Sequence, residues 1–212
     1  MPIIKYEQIN AKSSWVIWRI DETIEDFLQK VTLDECDRND LARIRHTDKK
    51  REWFSSRLAV KHLLGARQLK FNGIKKDQFN KPFLKDHSSH ISISHSFPYA
   101  AAIIHAEKPV GIDIEQPRTK ILSIAKKFLN EKERDFAGDD LDILSILWSA
   151  KEVLYKIHGR KRLTFKHHLA IQPFEKNHDH PISCSIIFGE DHFQSYQLKF
   201  QKINAHYVVF NL

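Results

Sequence analysis

The sequence predicts an α+β chain of two similar lobes, each a small, mainly antiparallel sheet packed with helices, divided at residues 1–108 and 109–212. Three observations carry that expectation. Strand-like runs cluster in ISISHSFPYAAAIIH (residues 91–105) and VGIDIE (110–115), and a hairpin pattern recurs near the end, where FQSYQLKF and HYVVFNL flank QKINA. Long segments of helical periodicity lie beside each cluster. No low-complexity linker interrupts the chain, so the lobes are expected to pack tightly.

The elements follow in order. SSWVIWRI (Ser13–Ile20) is short and rich in β-branched and aromatic residues, and reads as a strand. Thr32 and Glu35 form a T-x-x-E capping box that opens a helix through about Arg45. A second helix runs from about Asp48 to Leu64 and is closed by Gly65. Phe54, Leu58 and Leu63 mark its apolar side, with Lys50, Arg51, Arg57 and Lys61 elsewhere. FNGIKKDQFNKPFL has turn signals at Asn72-Gly73 and Asn80-Lys81-Pro82, so it reads as loop with short strands. A Ser-Phe-Pro turn joins the two strands of residues 91–105, and VGIDIE gives a third. TKILSIAKKFLNEKE (119–133) reads as one helix, with Lys126 and Lys127 beside Ile124 and Phe128. The last helix begins near Asp139 and ends before Gly159. Its core stripe is Ile143, Ile146, Leu147, Ala150, Val153, Leu154 and Ile157. Opposite lie Ser149, Glu152 and Lys156, bordered by Trp148 and Tyr155.

Composition narrows the class. A hydrophobic content of 42% with 14 Phe and 4 Trp supports a packed core. The two cysteines, Cys36 and Cys184, give no disulfide framework and fit a reducing compartment. MPIIKYEQINAKSSW lacks the apolar core of a signal peptide, and no run approaches a membrane span, so a soluble cytoplasmic protein is expected. Lys and Arg number 34 against 27 acidic residues, a formal charge of +7 that favours an anionic partner. The basic residues are spread along the chain without an arginine-rich tail, which weakens a nucleic-acid reading.

Within VGIDIE, Asp113 and Glu115 point to one side of a strand and Ile112 and Ile114 to the other. Two carboxylates on one face repel unless a cation or a set of donors stands between them, or unless the face is simply wet. Glu152 on the long helix supplies a third carboxylate that could converge with them. Oxygen ligands with open positions suit Mg²⁺, which shares its shell with substrate phosphates. Lys156, one turn beyond Glu152, would stand where a phosphate oxygen needs a second cation. The plain alternative is an i,i+4 ion pair worth a few tenths of a kcal/mol.

At these residues the chain resembles the 4′-phosphopantetheinyl transferases. Their pattern, V-G-x-D-x-E and then W-[ST]-x-K-E-x-x-x-K, is matched by VGIDIE and, about thirty residues on, by WSAKEVLYK. ISISHS, SRLAVKHLL and NKPFL match the longer, pseudo-dimeric surfactin-type branch, and the resemblance covers about Arg51 to Lys156. It implies a pseudo-twofold, single-chain monomer with its active site in the cleft between the lobes. It implies transfer of the phosphopantetheine arm of coenzyme A to a serine of an apo acyl or peptidyl carrier protein, releasing adenosine 3′,5′-bisphosphate. It further implies Mg²⁺, with Mn²⁺ as the alternative ion, held by Asp113, Glu152 and, directly or through water, Glu115. Glu152 would accept the serine proton and Lys156 would contact the pyrophosphate. Ser94 and His95 would hold phosphates of coenzyme A, His95 the 3′-phosphate. Arg51 and Lys81 would make further nucleotide contacts, as would Arg57 less securely, and Lys151 would touch substrate in a secondary role.

Two departures stand out. Asn80 replaces the Gly that usually opens the Lys-Pro motif, and Asn tolerates a left-handed backbone. Val153 stands where a small residue is common. His87, His90, His167, His168, His178 and His180 lack cysteine partners at finger spacing and read as loop residues, not a zinc site. The 119–133 helix either packs the second lobe or offers a basic and apolar surface to an acidic carrier helix. Two other functions stay open at this level: a nucleic-acid-binding module, suggested by Trp53 and Phe54 after Lys49-Lys50-Arg51, and a Mg²⁺-dependent phosphohydrolase using the same carboxylates on water.

Overall fold

The computed structural model describes residues 2–159, 162–176 and 180–212. It is α+β, and it divides into two compact units, Met1–Lys76 with Pro82–Lys108 and Asp77–Lys81 with Pro109–Leu212. The short segment 77–81, which carries Lys81, thus groups with the second unit rather than with the residues on either side of it.

The first unit contains β1 (Ile3–Asn10), β2 (Ser13–Arg19), α1 (Ile24–Lys30), α2 (Glu35–Arg43), α3 (Thr47–Gly65), β3 (Ile74–Lys76), β4 (Pro82–Leu84), β5 (His90–Ser96) and β6 (Tyr99–His105). Four strands form an antiparallel sheet in the order β1-β2-β6-β5, and β3 pairs with β4. The inner strands β2 and β6 are buried almost throughout, so they read as continuous apolar runs, whereas β1, at the edge, alternates half-buried and exposed residues. α3 lies against β6 and β2 and buries Phe54, Leu58, Ala59, Leu63 and Leu64 with Val16, Ala102 and Ile104. Phe27 of α1 stacks on Phe54 with centroids 5.3 Å apart.

The helix expected from Thr32 begins later. Asp34 is the N-cap of α2, in a capping box with Asp37, so the Thr32–Glu35 pairing is not the one used. α1 was not anticipated, although Thr23 and Asp26 form a complete capping box at its start. Its seven residues are too few for a periodic signal to emerge from sequence.

The second unit contains β7 (Ile112–Glu115), α4 (Lys120–Phe128), α5 (Glu131–Ala137), α6 (Leu141–His158), α7 (Phe165–His168), β8 (Leu169–Ile171), β9 (Ile182–Gly189), β10 (His192–Ile203) and β11 (His206–Asn211). Its antiparallel sheet has the order β7-β11-β10-β9-β8, with α6 against β7 and β11. QKINA is mostly strand, and the reversal is confined to Asn204 and Ala205, with Asn204 at φ 54°. The single helix expected over 119–133 is two. Leu129, fully buried, leaves helical geometry at φ −96°, ψ 140°, and Asn130 then caps α5 through Glu133. Burial of Leu129 and a new cap together outweigh continuation of the helix.

Candidate active site

α6 is framed as its sequence dictates. Asp140 accepts hydrogen bonds from the Asp142 and Ile143 amides, both at 3.0 Å, and Gly159 ends the helix at φ 70°, ψ 8°. The helix approaches β7 closely enough that a Cβ on Gly111 would lie 2.5 Å from the carbonyl oxygen of Val153. Gly111 is therefore what lets the backbones of strand and helix meet. Its amide and carbonyl are both engaged by Asn211, through Oδ1 at 2.8 Å and the amide at 3.3 Å.

On β7 the alternation holds: Ile112 and Ile114 are buried in the core, and Asp113 and Glu115 fall on the other side. Asp113, only 6% exposed, is met by Lys156 from α6, whose Nζ lies 2.8 Å from Oδ1 and 2.8 Å from the Ile112 carbonyl oxygen. The question that two carboxylates among isoleucines pose thus has a partial answer in the protein itself: an ammonium sits on one of them. Glu115 is half-buried and accepts the Gln116 amide at 3.1 Å. Burial, and then the charge of Asp113, push its pKa upward against the pull of Gln116, Arg118 and Lys156. Glu152 is more affected. Burial and the charge of Asp113 push it up to about 7, with Glu115 adding to the rise and Lys156 opposing it. Three carboxylates from two elements therefore feel one another's charge.

Among the described residues, no three His, Cys, Asp or Glu side chains are already gathered around a metal position. The donor chemistry nevertheless fits a hard divalent cation: oxygen ligands only, two of them held against their preference for charge.

Lys151 requires a correction. It is 0% exposed, and its ammonium pairs with Glu133 at 2.7 Å and donates to the carbonyl oxygens of Phe165 at 3.0 Å and Leu169 at 2.7 Å. All three of its protons are used, so none remains for substrate. Glu133 in turn accepts the amides of Asn130 and Ile171, tying α5, α6 and β8 together. The expected place of Ser149 on a polar face also fails, because Ser149 is fully buried. Trp148 packs edge-on against Phe128 at 5.1 Å and against Phe165 at 5.5 Å, and Tyr155 packs against Phe165 at 5.7 Å. These aromatics border the charges because α4 and α7 cover that side of α6.

Lys81 follows Asn80, whose φ of 67° is the left-handed geometry the turn requires. Asp77 Oδ1 accepts the amides of Phe79 and Lys81, and Lys81 Nζ donates to the Ile157 carbonyl oxygen at 2.9 Å, at the end of α6. Burial lowers its pKa, and Asp77 partly restores it. A small cavity of about 250 Å³ beside Glu115 is lined by Arg118, Ile121, Ile124 and Trp148.

In the first unit, Ser94 and His95 lie just before the end of β5, paired with Ala101 and Ala100. Arg51 is spent partly on the chain, donating to the carbonyl oxygens of Glu22 at 2.9 Å and Ile20 at 3.0 Å, with Phe97 under its guanidinium. Arg57 is a structural cation, 4% exposed, with Asp37 at 3.2 Å and the Trp53 ring at 3.2 Å from its Cζ. Two residues escaped the sequence reading: Glu133, although N-x-x-E marks its capping box, and Glu52, hidden as an ordinary helix charge three residues after Lys49. Of the histidines, His178 lies outside the described residues, and His168 Nδ1 accepts the Thr164 amide at 2.9 Å.

Residues 109–210, lying within the second unit, match the model of the 4′-phosphopantetheinyl transferase superfamily. The chain is similar to that superfamily over a little under half of its length. More particularly, it is 34% identical over 89 residues to 4′-phosphopantetheinyl transferase Sfp of Bacillus subtilis (strain 168), a match covering 39% of this chain and 39% of that protein. The chain is thus matched to about two fifths of that relative's length. No helix among the described residues is long and apolar enough to cross a membrane.

Proposed function

We propose that the protein transfers the 4′-phosphopantetheine group of coenzyme A to a serine of an apo acyl or peptidyl carrier protein. The observation that carries this reading is the meeting of Asp113 and Glu115 on β7 with Glu152 and Lys156 on α6, inside the stretch matched to the superfamily. A phosphoryl-transfer site needs oxygen ligands for a cation, a proton acceptor and a fixed positive charge, and these four residues are of those types.

Asp113, Glu152 and Glu115 would hold Mg²⁺, which when bound would supply charge neutralisation for the pyrophosphate and its leaving group. Glu152, with a proton affinity near neutrality, is suited to take the serine proton as Oγ forms its bond to phosphorus. The phosphoanhydride bond breaks in the same displacement, and its electron pair leaves with adenosine 3′,5′-bisphosphate. Lys156 neutralises phosphate charge, exchanging part of its hold on Asp113 for the substrate. Ser94, His95, Arg51 and Lys81 supply donors for the nucleotide phosphates, and Lys151 braces α6 from behind. The exposed Leu122, Lys126 and Lys127 of α4, near the cavity beside Glu115, suit an acidic carrier helix.

The test is to incubate the protein with coenzyme A, Mg²⁺ and apo carrier proteins encoded near its gene, and to weigh the carriers. A gain of one phosphopantetheine on the serine supports the proposal. Hydrolysed coenzyme A with unchanged carriers would point instead to a phosphohydrolase. Steeply salt-dependent binding of DNA or RNA without chemistry would point to a nucleic-acid module.

A further inference from the structure

β1 is the outer strand of the first sheet: it pairs with β2 on one side, and among the described residues no strand pairs with the other. Ile4 and Tyr6 are 42% and 40% exposed, and the side chains of Lys5 and Glu7 are 40% and 34% exposed. An edge strand offers its amides and carbonyls to any second strand, and proteins blunt that offer with bulges and charges. β1 carries both devices, but each leaves an opening. Its register with β2 shifts between Ile3 and Lys5 and again between Gln8 and Asn10, so Lys5 to Gln8 remain a regular ladder. Its lysine is followed two residues on by a glutamate on the same face.

These charges select an occupant. Hydrogen-bonded and non-hydrogen-bonded pairs alternate along an antiparallel ladder, so two copies of one strand related by a twofold axis must set one residue opposite itself. Centred on Lys5 or on Glu7, such a pairing puts like charges face to face, which is destabilising. Centred on Gln8, it runs into the second bulge. Centred on Tyr6, it puts Lys5 of each copy opposite Glu7 of the other and sets the two Tyr6 rings across the axis. Glu7 already has partners in its own chain, Lys5 at 3.5 Å and a further interaction besides. A carboxylate accepts from several donors at once, so the cross-pair adds to those contacts and needs no vacant group. Lys5 Nζ lies 6.0 Å from the centre of the Trp15 ring, and Tyr6 meets the His62 ring edge-on at 5.6 Å. Both side chains are therefore partly ordered beforehand, which lowers the entropy cost of pairing.

We propose that β1 is a dimerisation edge: a second copy of this chain adds its own β1 antiparallel to the first, about a twofold axis at Tyr6. The two four-stranded sheets then join into one, with Lys5 and Glu7 setting the register. This inference stands apart from the transfer reading, since no residue of the proposed chemistry lies on β1. A pairing so short buries little area, so the dimer is weak, with a dissociation constant of about 100 µM. Its cross-pairs are exposed, so salt weakens it further.

The experiment is sedimentation equilibrium of the full chain at low salt, up to about 300 µM, where a dimer of this strength is well populated. Five samples are compared: wild type, Lys5→Glu, Glu7→Lys, the double variant with both changes, and an equimolar mixture of the two single variants. Wild type should pass from monomer to dimer. Each single variant should associate about tenfold more weakly or worse, because both copies of the cross-pair become like charges. The mixture and the double variant should recover the association, since every opposed pair is again of opposite sign. Circular dichroism melts establish that each sample is folded, and the double variant keeps the wild-type composition should a single reversal unfold the chain. In wild type, hydrogen exchange at Lys5 to Gln8 should slow as concentration rises. A wild type that stays monomeric at the highest concentration overturns the proposal. So does a dimer indifferent to the single reversals, a loss that mixing does not recover, or protection that appears on another strand instead.

Discussion

Glu152→Gln should make this protein more stable at alkaline pH while removing its chemistry. The substitution keeps the volume of the side chain and removes its charge. In the folded protein the carboxyl holds its proton up to about 7, against an ordinary 4.5, because it is buried beside Asp113 and Glu115. The unfolded chain releases that proton near 4.5, so between the two values the folded state binds a proton the unfolded state has lost. The group's contribution to stability is thus fully present below about 4.5 and is lost as pH rises through about 7. At about 1.4 kcal/mol per pH unit the penalty approaches about 3 kcal/mol, and water reaching this partly exposed side chain brings it to about 2 kcal/mol. Urea unfolding followed by circular dichroism, with chelator present, should show Glu152→Gln more stable than wild type by about 2 kcal/mol at alkaline pH and level with it at acid pH. Adding Mg²⁺ at alkaline pH should then raise the wild type and leave the variant behind, because the ion favours the ionised carboxylate. A variant no more stable than wild type at alkaline pH, or one whose advantage ignores pH, would refute the view that these carboxylates press on one another.

The other predictions concern neighbouring parts of the same frame. Lys151→Met should destabilise the second unit by about 3–5 kcal/mol by stranding Glu133, and adding Glu133→Gln should recover much of that in thermal melts. Gly111→Ala should cost about 1–3 kcal/mol, because its Cβ would press on Val153, and should lower transfer by shifting Asp113 from Lys156. Asn80→Ala should lose about 1 kcal/mol in chemical denaturation where Asn80→Gly does not, since the position is left-handed. Asp113→Ala should abolish carrier modification in the mass assay while far-ultraviolet circular dichroism stays that of the wild type.

Much of the frame was legible beforehand because it depends on local chemistry. The ends of α6 fall within a residue or two of those read at Asp139 and Gly159, and the strand alternation of Asp113 and Glu115 could be read from neighbouring isoleucines. Asn80 could be read as left-handed because few other residues accept that geometry cheaply. What failed did so where distant packing overrode a local pattern. The helix over 119–133 is continuous by periodicity, yet burial of Leu129 breaks it. Lys151 sits beside Glu152, where the resemblance implied a secondary contact with substrate; Glu133 and two carbonyl oxygens, 14 and 18 residues from it in sequence, claim it instead.

Taken alone, the order of residues determined the α+β class and the long helix, because periodicity, caps and residue types act over a few positions. Only the tertiary structure decided what each charge meets. It put Lys156 on Asp113, enclosed Lys151, set Glu52 behind His95 and raised Glu152 toward neutrality. Charge interactions depend on separation in space and on the water that folding excludes, and neither quantity is written in the spacing of residues along a chain.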